Sequence, residues 1–368
     1  MADVVRRTAG LQGQSWRGLA YAVRARSTAT TWSDVSIAQE QDRSVVRGWF
    51  MRGTLQLVAT EDAGRLLGLF GPKFIKATER RYGELGLSAD TRAKAAELIE
   101  SHLLENGPTN RATIGDLLLG ARLVPEPTGQ AVYALIRHAG LLGLICYGPG
   151  HDADETWVAV RDWLGQPLTL DPDGAAEELA RRYLTAYGPA TAKDFATWAG
   201  LPVPSARTAV KAVAKAEVIV EGESFAMIDD LPGCEDLRLL GEFDPYLLGY
   251  QDRRYALDDE HRKLIHPGGG MLRPAVVRAG RVIGSWKHRG PEVDLFATPA
   301  DLTHHATPAG GGIAGDLADH ANPAGGGIAG DLADHAAPAG RGAAGDLADH
   351  ANPADLADEL EDLTRFRG

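Results

Sequence analysis

Cysteine is almost missing from this chain: of 368 residues only Cys146 and Cys234 carry a thiol, without Cys-x-x-Cys spacing or a histidine at ligand distance in sequence. That excludes a disulfide framework and a finger-type zinc site, and a reducing, cytoplasmic setting is expected. No apolar run reaches the roughly 18 to 20 residues that a bilayer-spanning helix needs. The opening Met1-Ala2-Asp3-Val4-Val5-Arg6-Arg7 lacks a signal-peptide apolar core, so a soluble, unexported protein is expected, with no membrane partner. Also absent are His-Glu-x-x-His, a phosphate loop, a Gly-x-Ser-x-Gly elbow, and His-x-Glu paired with Pro-Cys-x-x-Cys. The common metalloprotease, nucleotide-handling, esterase and zinc-deaminase chemistries drop out with them, and no metal, nucleotide or other cofactor is expected. Basic charge is short too, at 38 Lys and Arg against 50 Asp and Glu, a net of −12. The deficit is uneven: residues 301–368 hold 12 acidic and 3 basic residues, a net of −9, which leaves −3 for residues 1–300. The body is therefore close to balance, and a local basic face for phosphates remains open.

What is present begins with ordinary globular material, 44% apolar residues over a length that suits two or three domains. A 15-residue unit starting at His305 recurs from His320 and His335, and His350 leads into a divergent last copy. Each unit contains Gly-x-Gly-x-x-Gly, as at Gly310, Gly312 and Gly315, but no strand precedes it, so a dinucleotide site is rejected. The histidines could bind a metal weakly; a solvated Gly/Ala/Asp-rich linker is the simpler reading. Beyond it, Leu356, Leu360 and Leu363 fall at helical spacing, so Asp355 to Phe366 is expected to dock as a final helix.

Three stretches of the body share one order of elements, a helix, a second helix, then two short strands joined by a turn, which is the order of a winged helix-turn-helix. In the third stretch, helices are expected at Ala175 to Tyr187, Thr191 to Trp198 and Pro204 to Lys215, then strands at Val218 to Val220 and Phe225 to Ile228. On the Pro204 helix, Arg207, Lys211 and Lys215 repeat every fourth residue opposite the apolar stripe. Such a stripe suits a groove reader, and it equally suits a plain solvated face. The second stretch runs from a helix capped at Ser88 to a helix at Gln130 to Leu141, with Gln130, Tyr133 and Arg137 outward, and then a strand pair at Leu142 to Cys146 and Thr156 to Val160. The first comprises helices at Ser15 to Arg26 and Asp34 to Trp49 and a strand at Met51 to Val58. After residue 233 short strands take over, at Leu237 to Leu240, Met271 to Val277 and Arg281 to Trp286, with Gly280 in a hairpin turn. Arg253, Arg254, Lys287 and Arg289 concentrate basic charge in that region, for phosphates or as ordinary surface.

The most informative residues are Gln12 and Gln14, two neutral amides flanking Gly13. A glutamine neither gains nor loses a proton near neutral pH, so this pair can serve as neither general acid nor general base. A reaction they assist must start from an activated substrate. An N7-alkylated guanine is one: its ring is already cationic, and it leaves deoxyribose as a neutral base. Amide oxygens would then stabilise the developing oxocarbenium charge and hold the attacking water.

Leu11-Gln12-Gly13-Gln14, Arg52-Gly53-Thr54 and Phe243-Asp244-Pro245-Tyr246-Leu247-Leu248-Gly249-Tyr250 occur in an order that resembles the winged-helix DNA-binding proteins exemplified by the AlkZ-like and YcaQ-like DNA glycosylases. The resemblance runs over most of residues 4–300. It implies that Gln12 and Gln14 are catalytic at the damaged nucleotide, that double-stranded, damaged DNA is the partner, and that a β-hairpin of the C-terminal region, positionally 271–286, engages the duplex. Three departures stand out: Gly13 replaces an aliphatic residue and loosens the backbone between the amides, the first helix of the family is expected to be missing, and the repeats are foreign.

The expected fold is α+β, with three tandem winged helices over 1–86 (N-terminally short), 87–170 and 171–232. A small β region over 233–303, the repeats over 304–352 and a last helix over 353–368 follow. The expected activity is excision of bulky or N7-alkylated purines, crosslinks included, by a DNA glycosylase. Arg52, Thr54, Arg207, Lys211, Lys215, Arg253, Arg254, Lys287 and Arg289 are the candidate DNA contacts, although for Arg52 and Thr54 a brace of the first unit is the simpler reading. Tyr246, Tyr250 and Trp286 suit base stacking or core. Two other functions fit the same residues: a non-enzymatic DNA-binding regulator, and a degenerate paralogue kept as an interaction module.

Overall fold

A computed structural model describes residues 1–220, 222–228, 236–288, 292–296 and 353–367. Several helices begin where short polar side chains take up the first free N–H groups. Ser15 Oγ accepts from the Gly18 N–H at the start of α2 (Trp16–Arg24), and Ser88 Oγ from the Thr91 N–H at the start of α6 (Ala89–Asn106). The repeated element order of the sequence has a topological counterpart. In the first stretch α1 (Ala2–Arg7), β1 (Leu11–Gln12), α2 and α3 (Trp32–Glu40) lead to β2 (Val45–Trp49) and β3 (Leu55–Ala59), and the sheet order is β1-β3-β2. After α4 (Thr60–Ala77) and α5 (Glu79–Glu84), the second stretch runs through α6, β4 (Thr109–Asn110), α7 (Arg111–Gly120), α8 (Gly129–Leu141), β5 (Ile145–Tyr147) and β6 (Thr156–Ala159), with order β4-β6-β5. A short α9 (Val160–Trp163) precedes the third: α10 (Ala175–Tyr187), α11 (Ala192–Ala199), α12 (Val203–Val213), β7 (Ala216–Val220) and β8 (Glu223–Met227). Here a single bridge, Ala190 to Ala226, stands where β1 and β4 stand in the others.

The remaining elements are β9 (Arg238–Leu240), α13 (Pro245–Leu248), α14 (Arg262–Ile265), β10 (Ala275–Arg278), β11 (Arg281–Trp286), β12 (Val293–Leu295) and α15 (Pro353–Arg367). The four strands form an antiparallel sheet in the order β12-β11-β10-β9, and Gly280, at a φ of +76°, turns the β10–β11 hairpin. The whole is α+β. No helix among the described residues is long and apolar enough to cross a membrane. Cys234, Arg289 and the repeats with His305, His320, His335 and His350 lie outside the described residues.

Several expectations need correction. The stretch Asp34 to Trp49 is not one helix: the chain turns at Arg43, at a φ of +53°, and Val45–Trp49 is a strand buried along its whole length against β3. Two adjacent valines suit the pleated, buried position better than a helix end. Arg52-Gly53-Thr54 is not a strand either. Met51–Gly53 forms a 3-10 turn in which Arg52 takes the left-handed conformation, at a φ of +57°. Lys215 lies past the end of α12, because Ala214 is already extended, so only Arg207 and Lys211 share that helix. β10 starts at Ala275, while exposed Met271 pairs back to Gly268. A six-residue α1 stands ahead of β1, where no opening helix was expected.

The final helix docks as its leucine spacing implies. Leu363 and Phe366 are buried in a core shared with Trp16, Tyr21 and Trp286. Arg24 on α2, 1% exposed, donates to Glu359 (2.5 Å), Asp362 (2.6 Å) and the Leu239 carbonyl (3.1 Å). Residues nearly 340 apart thus close the structure.

Candidate active site

Gln12 reaches its place because β1 pairs with β3 in the register Gln12 to Gln56, which turns Leu11 into the core and Gln12 to the opposite face. There its amide meets the 51–54 turn. Arg52 Nη2 donates to Gln12 Oε1 at 3.0 Å, and since a guanidinium can only donate, the oxygen of Gln12 must face it. Gln12 Nε2 is thereby left to donate to Gln14 Oε1 at 2.7 Å and Thr54 Oγ1 at 3.3 Å. Thr54 Oγ1 donates onward to the Met51 carbonyl at 3.2 Å. The arrangement is a one-way relay, Arg52 to Gln12 to Gln14, with Gln12 buried and Gln14 exposed at its outer end. Each donor polarises the next amide in the same sense, which orients the Gln14 carbonyl before any ligand arrives.

Gly13 between them is not loose. Its N–H donates to the Leu55 carbonyl at 2.8 Å, and its carbonyl accepts from Arg47 Nε at 2.8 Å. Arg47 is itself buried and paired with Glu155 at 2.7 Å. A Cβ at Gly13 would stand 3.2 Å from the Gln56 backbone, so the absent side chain permits close approach of the strands, and two hydrogen bonds replace the stiffness expected of an aliphatic residue.

Arg52 is held on its far side by the Trp198 carbonyl of α11. Burial, reinforced by the like charge of Arg253, pushes its guanidinium down to about 10, so it stays protonated at neutral pH. Two basic side chains that the sequence did not single out as site residues come to the same turn. Arg137 on α8 donates to the Gly53 carbonyl (3.4 Å) and Thr78 Oγ1 (3.3 Å), and Lys73 on α4 donates to the Gly200 carbonyl. Gly200, left-handed at a φ of +74°, lies directly under Arg52. Arg137 had a signal, the outward face it shares with Gln130 and Tyr133; Lys73 had none.

Of the sequence candidates, Gln12, Gln14, Arg52 and Thr54 gather here, and Arg253 stands near enough to act on the charge of Arg52. Arg207 and Lys211 are exposed on α12, one helix removed, since α12 packs on α11 and α11 on the 51–53 turn. Lys215 is exposed beyond that helix. Arg254 pairs with Asp252 at 2.6 Å and Lys287 with Glu292 at 2.8 Å. Trp286 is core, its indole N–H given to the Leu240 carbonyl at 2.8 Å. The hydroxyls of Tyr246 and Tyr250 donate to the carbonyls of Gly280 and Tyr187.

Just past Gln14, Ser15 Oγ donates to Glu242 at 2.5 Å, and His288 bonds the other carboxylate oxygen. Burial alone would raise the Glu242 carboxyl, but the bonds from His288 and Ser15 outweigh it and hold the group down to about 2. A depressed carboxyl stabilises the fold above its ordinary value of 4.5, and that contribution disappears as pH falls through about 2. Urea midpoints of the native protein and a Glu242→Gln variant, measured between those limits, are expected to converge as pH falls. A gap that stays constant across the window refutes the assignment.

The family model described as "DNA glycosylase AlkZ-like" matches residues 5–366. A relative from Streptomyces sahachiroi, named "Interstrand DNA cross-link repair glycosylase", is 29% identical over 328 residues, 81% of this chain and 84% of the relative. The solved structure of Streptomyces sahachiroi DNA glycosylase AlkZ aligns with a TM-score of 0.65 at 27% identity, covering 79% of this chain and 83% of that one. With the family match extending over nearly its whole length, the chain belongs to the AlkZ-like family of DNA glycosylases.

Proposed function

We propose that this protein is a monofunctional glycosylase that hydrolyses the N-glycosidic bond of N7-alkylated or other bulky purines in cytoplasmic duplex DNA, crosslinked bases included. The observation that carries the reading is the relay: Arg52 to Gln12 at 3.0 Å and Gln12 to Gln14 at 2.7 Å. It presents an exposed, oriented amide oxygen and no group able to protonate a leaving base. That suits a lesion that needs none. The C1′–N9 bond breaks with its electron pair going to the cationic purine, which departs neutral. The Gln14 carbonyl faces the positive charge that develops at C1′, water adds there, and the surplus proton passes to solvent.

The three recurring stretches act in this reading as winged helices over 1–86, 87–170 and 171–232, followed by the β region over 233–303. Their support is the shared topology, a short strand paired with the last strand of each unit. The repeats over 304–352 serve as a linker to the helix over 353–368. Relatives named for DNA glycosylase and crosslink repair support the substrate class.

Purified protein incubated with alkylated and plain duplex tests the proposal: free 7-methylguanine is expected from the first, and no base from the second. A second reading has its own observation, the exposed Arg207 and Lys211 on α12. A regulator that reads a groove with them binds plain duplex tightly by sequence and releases nothing.

A further inference from the structure

The molecule treats its buried positive charges in two ways. Among the described residues, every lysine or arginine that is buried or half-buried bonds a carboxylate, as Arg24, Arg26, Arg47, Arg92 and Arg182 do, apart from four. Those four are Arg52, Lys73, Arg137 and Arg253. Their hydrogen-bond acceptors are the carbonyls of Trp198, Gly200, Gly53 and Leu247, with Thr78 Oγ1 and Gln12 Oε1 in addition. Acidic residues are not scarce in this chain, which carries 50 of them. A half-buried cation without a countercharge is costly, and here the cost is incurred four times, three of them around one turn. Burial lowers the proton affinity of all four, which is the expected mark of charge left uncompensated.

Three of the four converge through the backbone rather than by chance of surface. Arg52 and the Gly53 carbonyl belong to the same turn, Arg137 bonds that carbonyl, Lys73 bonds Gly200, and a Cβ at Gly200 would stand 3.0 Å from Arg52 Cα. Arg253 stands close enough to Arg52 to disfavour its charge. Spare N–H groups remain on each of these side chains, since an arginine carries five and a lysine three.

We propose that Lys73 and Arg137, together with Arg52 and Arg253, form a clamp for the phosphodiester backbone of the strand that carries the damaged nucleotide. The assignment rests on the duplex-DNA reading given above, and it adds two residues and a reason. A net positive cluster beside Gln12 and Gln14 would oppose the cation that forms on the sugar. Phosphates seated on the cluster cancel that opposition, so the relay acts on the sugar only once the backbone is bound.

The test is the salt dependence of binding to plain and alkylated duplex by native protein and a Lys73→Gln, Arg137→Gln variant. Two lost phosphate contacts are expected to reduce the slope of log affinity against log salt by about 1.8, and to weaken both duplexes alike. A Lys73→Arg, Arg137→Lys variant keeps the slope. An unchanged slope in the neutral variant, with its thermal midpoint intact, overturns the clamp while leaving duplex binding by the native protein standing. Absence of salt-dependent duplex binding by the native protein overturns both readings. Should the neutral variant not fold, acetylation of Lys73 in the native protein decides: several-fold protection by duplex is expected, and equal reactivity with and without duplex overturns the proposal.

Discussion

A Gln12→Ala, Gln14→Ala double variant is expected to release 7-methylguanine from alkylated duplex at least about 100-fold more slowly than the native protein, the usual scale for losing a positioned polar group that meets developing charge. Affinity for the duplex and its salt slope are expected to hold, since neither amide neutralises a phosphate. The single variants should not contribute equally or additively. Gln12 is the middle of the relay, so Gln12→Ala removes one of the two acceptors of Arg52 and the donor that aims Gln14 at 2.7 Å, and should lose less than the double variant because the Gln14 carbonyl remains. Gln14→Ala leaves the inner bond intact but removes the carbonyl that meets the developing charge, and should lose nearly as much as the double variant. Release at the native rate by the double variant would remove the amides from the chemistry. Equal, additive losses would instead remove the relay.

Arg24→Ala is expected to cause the largest loss of stability among single substitutions at ion pairs. The change takes a fully buried guanidinium away from Glu359, whose side chain is 9% exposed, from Asp362, and from the Leu239 carbonyl. Breaking a buried pair from one side typically costs about 3 to 5 kcal/mol, because the stranded carboxylate keeps its desolvation penalty. Glu359 retains the Leu239 N–H at 3.0 Å and Arg238 at 3.2 Å, which places the expected loss toward the lower end of that range. Calorimetry should show a thermal midpoint several degrees lower, and limited proteolysis should cut near the last helix. Lysine at this position is not expected to rescue it, because one ammonium cannot span two carboxylates and a carbonyl in the fork geometry of arginine. A midpoint within about 1 °C of native, where a loss of this size predicts more, would show that the last helix is held by its apolar contacts and its other bonds without Arg24.

Much of the architecture is legible in the amino-acid sequence. The α+β composition, the helices of the third stretch, the β10–β11 hairpin at Gly280 and the docking of the last helix all follow from apolar periodicity and turn chemistry, which are local properties. Where the reading failed, a local preference met a tertiary demand. Val45–Trp49 continued a helical pattern on paper, yet it became a strand because β3 offered it a fully buried partner. The Arg52 turn was hidden for a similar reason. Nothing local requires an arginine to be left-handed, and its guanidinium is held there by the Trp198 carbonyl, 146 residues away.

For the candidate site, the sequence by itself determined which groups could take part: two amides incapable of proton transfer, which suit the proposed substrate because it carries its own charge. Tertiary structure alone decided their order and their surroundings. Strand register set Gln12 inside and Gln14 outside, a buried arginine on β2 stiffened the glycine between them, and, among the described residues, four cations from α4, α8, the 51–53 turn and the loop after α13 bond carbonyls in place of carboxylates. Residue types limit chemistry through their ionisation, which belongs to each side chain alone. Direction and electrostatic field arise from which side chains lie close together, and in this chain those come from positions as distant as 12, 73, 137 and 253.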